Sequence, residues 1–282
     1  MSFTLTGANS EVIVFDDSNY VLMPSISGFG IPPTSVRIDE STRPGGVWRS
    51  SRRGVRQVDL PIMVLGSTAT SVETKLRALA RVTQDSSGPT ILTAVRSTGN
   101  LTLGLHYVGG GELVYGGADG GKTWAKVVLS FQAPQPYWQS SSVQKFTITS
   151  GNTGRGLLPK LTKLRLSSSL SLGTINVNNT GDVAVYPTYV VEGPINNFKV
   201  TSGSLSFGFN AALTGDDVIT VDTEAGTVVD ADGNNRYDLL SSSPKLFPFQ
   251  PGNSSIQIEG TGTTLDTKIV ASYARRFEVV HG

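Results

Sequence analysis

The sequence predicts a mainly β protein built as two β-sandwich domains, the N-terminal one flanked by a single α-helix. Three observations carry this. Short runs of β-branched and aromatic residues recur between Gly, Asn, Asp and Pro clusters along almost all of the 282 residues. Only one segment shows a helical apolar stripe together with a start signal. The composition, 38% apolar but only 16% charged with 32 glycines, suits short strands joined by many turns.

In chain order, strands are predicted at Glu11–Phe15, Tyr20–Met23, Val36–Ile38 and Gln57–Leu65. The segment Ile38–Arg56 reads as a polar loop turning at Pro44-Gly45. The helix is predicted over Ser71–Thr83, about residues 70–83. Thr70-Ser71-Val72-Glu73 reads as its capping box, and Val72, Leu76, Leu79 and Ala80 form one apolar stripe. Glu73 and Arg77 are spaced to pair on the wet side. Asp85–Pro89 ends the helix. Strands resume at Thr90–Val95, Leu101–Val108, Glu112–Tyr115 and Trp124–Ala133, with Gly109–Gly111 and Gly116–Gly121 as turns.

Pro134 and Pro136 stop the last of these, since proline cannot donate to a ladder. The domain boundary is therefore expected near here, with domains at 1–140 and 141–282. Gln139–Gly156 reads as a linker or a loosely paired crossing strand. Beyond it, strands are predicted at Ser171–Val177, Tyr186–Glu192, Asn197–Ser202, Leu205–Phe209, Val218–Asp222, Thr227–Val229, Ser255–Glu259, Thr267–Tyr273 and Arg276–Val280. No helical stripe of useful length interrupts them, as expected of an all-β sandwich.

Charge and composition exclude several functions. The formal net charge is +1, and residues 1–140 carry 12 basic against 10 acidic side chains, so no global field points to nucleic acid or anionic lipid. With no cysteine, disulfides, thiolate metal sites and cysteine nucleophiles are excluded. The first residues lack the basic and apolar regions of a signal peptide, and no run approaches the roughly 18–20 apolar residues of a membrane span. The expectation is a soluble chain made in a cytoplasm.

Catalytic signals are weak. The two histidines, His106 and His281, have no nucleophile elbow to serve, and His106 reads as structural. Asp230–Asp238 resembles the start of a calcium loop, but Ser241 stands where the bidentate glutamate belongs, and turn formation asks for the same residue types. No catalytic residue, cofactor or metal is assigned. Tyr137, Trp138, Tyr186 and Tyr189 are candidates for a sugar platform, although such aromatics also serve as core anchors. The stretch Arg43–Arg56, with Arg43, Arg49, Arg52, Arg53, Arg56 and Trp48, is the one concentration of groups that favours an interface with another subunit or partner.

The second half carries three markers in fixed order. They are Tyr186-Pro-Thr-Tyr-Val-Val-Glu-Gly193, Gly215-Asp-Asp-Val-Ile-Thr-Val-Asp222, and Phe247-Pro-Phe-Gln-Pro-Gly-Asn253 leading into Ile256-Gln-Ile258. With the helix-bearing N-terminal part and the Ala133–Tyr137 junction, this order resembles the distal tail proteins of long-tailed, non-contractile bacteriophages. The resemblance implies an N-terminal sandwich flanked by a helix and an extended hairpin, and a galectin-like C-terminal sandwich. It implies a homo-hexameric ring joining the tail tube to the tip proteins. Partners would be the tail tube, tape-measure and tail-tip proteins, with DNA only as passing cargo in the channel. Mapped onto this chain, the extended hairpin would lie within Leu101–Phe131. Residence in the virion tail tip is implied as well. A carbohydrate-binding β-sandwich is the alternative, and a glycoside hydrolase, needing paired carboxylates, is the third reading.

Overall fold

The computed structural model describes residues 1–40, 42–84, 88–113, 121–149 and 171–280. Two compact units account for them. The first is Met1–Ser142 together with the chain from Phe277 on, and the second is Val143–Arg276.

The first unit contains β1 (Ser2–Thr6), β2 (Val12–Phe15), β3 (Tyr20–Leu22), β4 (Thr34–Glu40), β5 (Gly46–Arg53), β6 (Arg56–Leu65), α1 (Ala69–Val82), β7 (Thr90–Val95), β8 (Leu101–Gly110), β9 (Trp124–Ala133) and the start of β10 (Trp138–Thr149). Neighbours run β10-β8-β7-β1-β2 in what we call the first sheet and β8-β9-β6-β3 in the second, with β8 shared. Every pairing is antiparallel, and β6 and β9 match over their full lengths, Arg56↔Ala133 to Leu65↔Trp124. Alternation does the sorting: in β7, Leu92 and Ala94 point inward while Ile91 and Thr93 point out. Leu5, Ile13, Leu60, Ile62, Leu103, Leu105, Phe131 and Trp138 fill the core.

Helix α1 buries Val72, Leu79 and Val82 in that core, with Leu76 and Ala78 partly covered. Ala80, expected in the stripe, is exposed. The cap also differs from expectation. Thr68, not Thr70, accepts from the Ser71 amide at 3.1 Å, so the helix starts two residues earlier than predicted. Several hydroxyls lie within reach of this helix start, and the phase of the buried stripe selects among them. Glu73 and Arg77 pair at 2.6 Å on the exposed side, as their spacing requires.

In the second unit, β11 (Ser171–Asn179), β12 (Thr188–Glu192), β13 (Asn196–Ser202), β14 (Leu205–Gly208), β15 (Val218–Asp222), β16 (Thr227–Val229), β17 (Gly252–Thr261) and β18 (Lys268–Phe277) form two facing layers. One runs β16-β15-β12-β18 and the other β11-β17-β13-β14. The strand predicted at Thr267–Tyr273 runs on without a break into the start of the one predicted at Arg276–Val280, as the single strand β18 that ends at Phe277. The three ordered markers supply β12, β15 and β17, and their inward residues Tyr189, Val191, Ile219, Val221, Phe249, Ile256 and Ile258 are core. Tyr189 meets Phe207 and Phe249 edge-on, with centroids 5.3 and 6.5 Å apart. The chain is therefore mainly β, as predicted. Among the described residues no helix is long and apolar enough to cross a membrane.

The strand expected at Glu112–Tyr115 does not start at Glu112 or Leu113, and Val114 and Tyr115 lie outside the described residues. So do most of the Gly116–Gly121 turn, the segment 150–170 and His281.

A candidate interaction hairpin

The arginine-rich segment is not a loop. Thr34–Glu40 and Gly46–Arg53 are strands of an antiparallel hairpin that, among the described residues, pair only with each other. Its local logic is legible in retrospect. Val36-Arg-Ile-Asp alternates, Val47 and Trp48 favour strand, and Pro44-Gly45 turns the chain, with Gly45 at φ 110° where a side chain would be strained. The loop reading arose because Arg and Ser fill the outward positions of β5, leaving no apolar alternation there.

Register defines two faces. Val36 lies opposite Ser51 and Ile38 opposite Trp48; a bulge between Arg37 and Ile38 leaves Arg49 as the extra residue. One face therefore carries Val36, Ile38 and Trp48. The other carries Arg37, Asp39, Val47 and Arg52. Arg49 bonds Asp39 at 2.6 Å, and Arg37 approaches the same carboxylate at 3.7 Å, which concentrates the charge on that second face. Exposure is unusual for such residues: Val36 51%, Ile38 59% and Trp48 62%. A lone two-stranded hairpin is marginal in water, so this one needs support at its base or from a partner.

Its base is firmly held. Arg53 donates Nε to the Glu278 carboxylate at 2.9 Å and also reaches Thr34 Oγ1. Three residues on, Arg56 is 1% exposed. Its guanidinium donates to the carbonyls of Pro136 (2.6 Å), Gly30 (2.6 Å), Gly28 and Glu278 (2.7 Å). Burial lowers its pKa, and the Glu278 carboxylate opposes that shift. Gly28 has φ 84°, and a Cβ there would meet Gln57 O at 2.1 Å, so only glycine brings this carbonyl to the guanidinium. Phe29 lies 5.0 Å from Phe3 and 5.5 Å from Trp138 between ring centroids, and Val280 is fully buried with its amide on Phe29 O. The segments before and after the hairpin and the end of the chain are thus clasped together.

The six residues singled out from sequence divide accordingly. Trp48, Arg43, Arg49 and Arg52 lie on the exposed hairpin, Arg53 serves its base, and Arg56 is a buried strut with no surface to offer. Sequence reasoning missed Val36, Ile38 and Glu278. Within the segment mapped as the extended hairpin, Leu101–Phe131, β8 and β9 pair antiparallel as members of the core sheets, and most of the chain joining them lies outside the described residues. The structure places the exposed hairpin at residues 34–53.

The other candidates resolve into structural roles. Asp230 accepts from the amides of Asp232 and Asn234 and from the Asn234 side chain, which is turn chemistry and lowers its pKa. His106 sits in β8 opposite Gln132. Of the four platform aromatics, Trp138 and Tyr189 are fully buried, so the set does not form one surface.

Residues 180–277 match the family described as siphovirus-type tail component, C-terminal domain. Over the whole chain the fold matches the crystal structure of the Dit (gp 19.1) protein of phage SPP1, described as a paradigm of the hub adsorption apparatus in phages infecting Gram-positive bacteria. The identity is 14%, the match covers 98% of this chain and 99% of that one, and the TM-score is 0.70. The phage P2 baseplate in its activated conformation matches too, with Ca and with Sr, at 10% identity, 99% coverage of both chains and TM-scores of 0.54 and 0.53. At such identities the agreement is one of fold. No curated protein matches the chain in sequence. The resemblance carried by the three ordered markers is upheld, and all three fall within the matched residues.

Proposed function

Taking residues 180–277 as a siphovirus-type tail component domain on a chain folded like a phage hub protein, we propose that this is a distal tail protein of a long-tailed phage. In this reading it performs no catalysis and needs no cofactor. Copies close into a hexameric ring that joins the tail tube to the adsorption apparatus. About residues 1–142, with the chain from Phe277 on, form the ring, and the galectin-like sandwich lies within about 143–276, the expected linker near 139–156 beginning as strand β10. The tail tube, tape-measure and tail-tip proteins are its neighbours, and DNA passes through without being bound. The protein is made in the host cytoplasm and resides in the virion.

The observation that carries this reading is the end-to-end correspondence with a hub protein, 98% of one chain on 99% of the other. The hairpin supports it independently, since an exposed, apolar, base-anchored hairpin is what a ring contact requires. Arg43, Arg49, Arg52 and Trp48 are then contact residues, while Arg53 and Arg56 hold them in place. Light scattering and negative-stain imaging test it. The expected particle contains six chains of 29.8 kDa around a channel. A monomer at every concentration, with and without the tail-tube partner, would refute the ring.

A further inference from the structure

The outer faces of the sheets differ in charge. The second sheet sets the part-exposed Asp59 and Lys126 on its outer side. In the second unit, one layer sets Glu192 opposite Lys268 and the other sets Lys199 opposite Glu259. The first sheet is the exception. Its registers align Val14, Thr4, Thr93, Thr102 and Gln139 in one row across five strands, and Val12, Thr6, Ile91 and Gly104 in the next. Neither row contains a charged residue. Val12 is 54% and Val14 48% exposed, on a strand paired, among the described residues, only with β1.

We infer that this uncharged face of one copy is the seat of the β4–β5 hairpin of the next copy. The inference rests on the ring reading above and names the surfaces that would close it. A head-to-tail contact needs two different, mutually complementary patches on the same chain. The hairpin supplies one: Val36, Ile38 and Trp48 on a single face, with Arg37, Asp39 and Arg49 turned to the other. Of the charged residues in the two strands, Glu40 near the tip and Arg53 at the base share the apolar face, and Arg53 is already bonded to Glu278. The first sheet supplies the other. A charged partner would lose hydration against these rows and gain no counter-charge, whereas an apolar hairpin face loses little. Dimensions agree. The row from Val14 to Gln139 is about 19 Å wide at sheet spacing, and the seven residues of β4 extend about 23 Å. Laid on the face, the hairpin adds a further layer at about 10 Å, the ordinary separation of stacked sheets. The Arg53–Arg56 clasp presents the hairpin preformed, which lowers the ordering cost of docking.

The chain lacks cysteine, so disulfide trapping has no background. Two single variants of the full chain, Ile38→Cys and Thr93→Cys, one of them tagged, are mixed and oxidised. A mixed disulfide dimer as the main product is expected. Ile38→Cys mixed with Gln57→Cys, on the charged second sheet, is expected to give none. Separately, Thr93→Lys should raise the concentration at half-assembly by about tenfold or more while leaving the melting temperature of the dissociated chain unchanged, because the charge is dehydrated only when the face is covered. A wild-type oligomer that traps at Gln57→Cys instead, or one that Thr93→Lys leaves intact, overturns the seat but not the ring. A wild type that stays monomeric and traps at neither position overturns both.

Discussion

Two hairpins in this chain begin from similar local signals and end in opposite environments. In β15–β16, Val218–Asp222 and Thr227–Val229 flank a Gly-containing turn, and Ile219, Val221 and Val228 are buried. In β4–β5, Val36, Ile38 and Trp48 alternate with polar residues about a Pro-Gly turn, and all are exposed. The difference lies in what lies over the apolar face. The first hairpin is one edge of a layer that faces another layer across a core. The second pairs with no other strand among the described residues. Alternation thus reports that one face is special, without reporting whether the chain's own core or another surface covers it.

The comparison can be broken most severely at the buried hairpin. Ile219→Asp places a carboxylate where 1% of the residue is exposed and should unfold the second unit, whereas Ile38→Asp should leave the melting temperature of the unassembled chain within about a degree. Thermal melts of both variants check this, and equal losses would abolish the distinction. Arg56→Ala comes next. It orphans the four carbonyls of the clasp and should cost at least about 3 kcal/mol in denaturant unfolding of the first unit. Arg52→Ala, on the exposed hairpin, should cost less than about 0.5 kcal/mol.

A smaller effect is expected with pH. The Ser130 hydroxyl, with help from Ser27 and Gln57, lowers the pKa of Asp59. A carboxyl with a depressed folded pKa adds stability above its unfolded value of about 3.9 and loses it as pH falls through the folded value. Acid titration should therefore erode stability below about pH 4, and Asp59→Asn should flatten that limb. An unchanged limb would remove Asp59 from the account. The smallest effect belongs to Tyr189, whose buried hydroxyl has no hydrogen-bond partner among the described residues and whose pKa burial raises. Tyr189→Phe should be neutral or stabilising by up to about 1 kcal/mol, read from the unfolding midpoint.

Much of the fold was legible beforehand. Thr90–Val95, Trp124–Ala133, Val218–Asp222 and Thr227–Val229 form where alternation and turn residues place them. The helix was legible to within two residues, because its stripe has a period that only a helix satisfies. The hairpin at 34–53 was not, since its arginines look like a solvated loop. Nor was the role of Arg56 visible, since Arg52, Arg53 and Arg56 are chemically the same residue in similar local sequence.

By itself, then, the sequence determined the β-rich class, the single helix, the order of the three markers and the absence of cysteine chemistry. All of these follow from local period, turn propensity and composition. Tertiary structure alone decided that Arg56 is a strut and Trp48 a surface anchor. It also decided that Gly28, Gly30, Pro136 and Glu278 meet at one guanidinium, and that two adjacent rows of one sheet face carry no charge. Those facts depend on which strands become neighbours across long stretches of chain, and no local pattern encodes that.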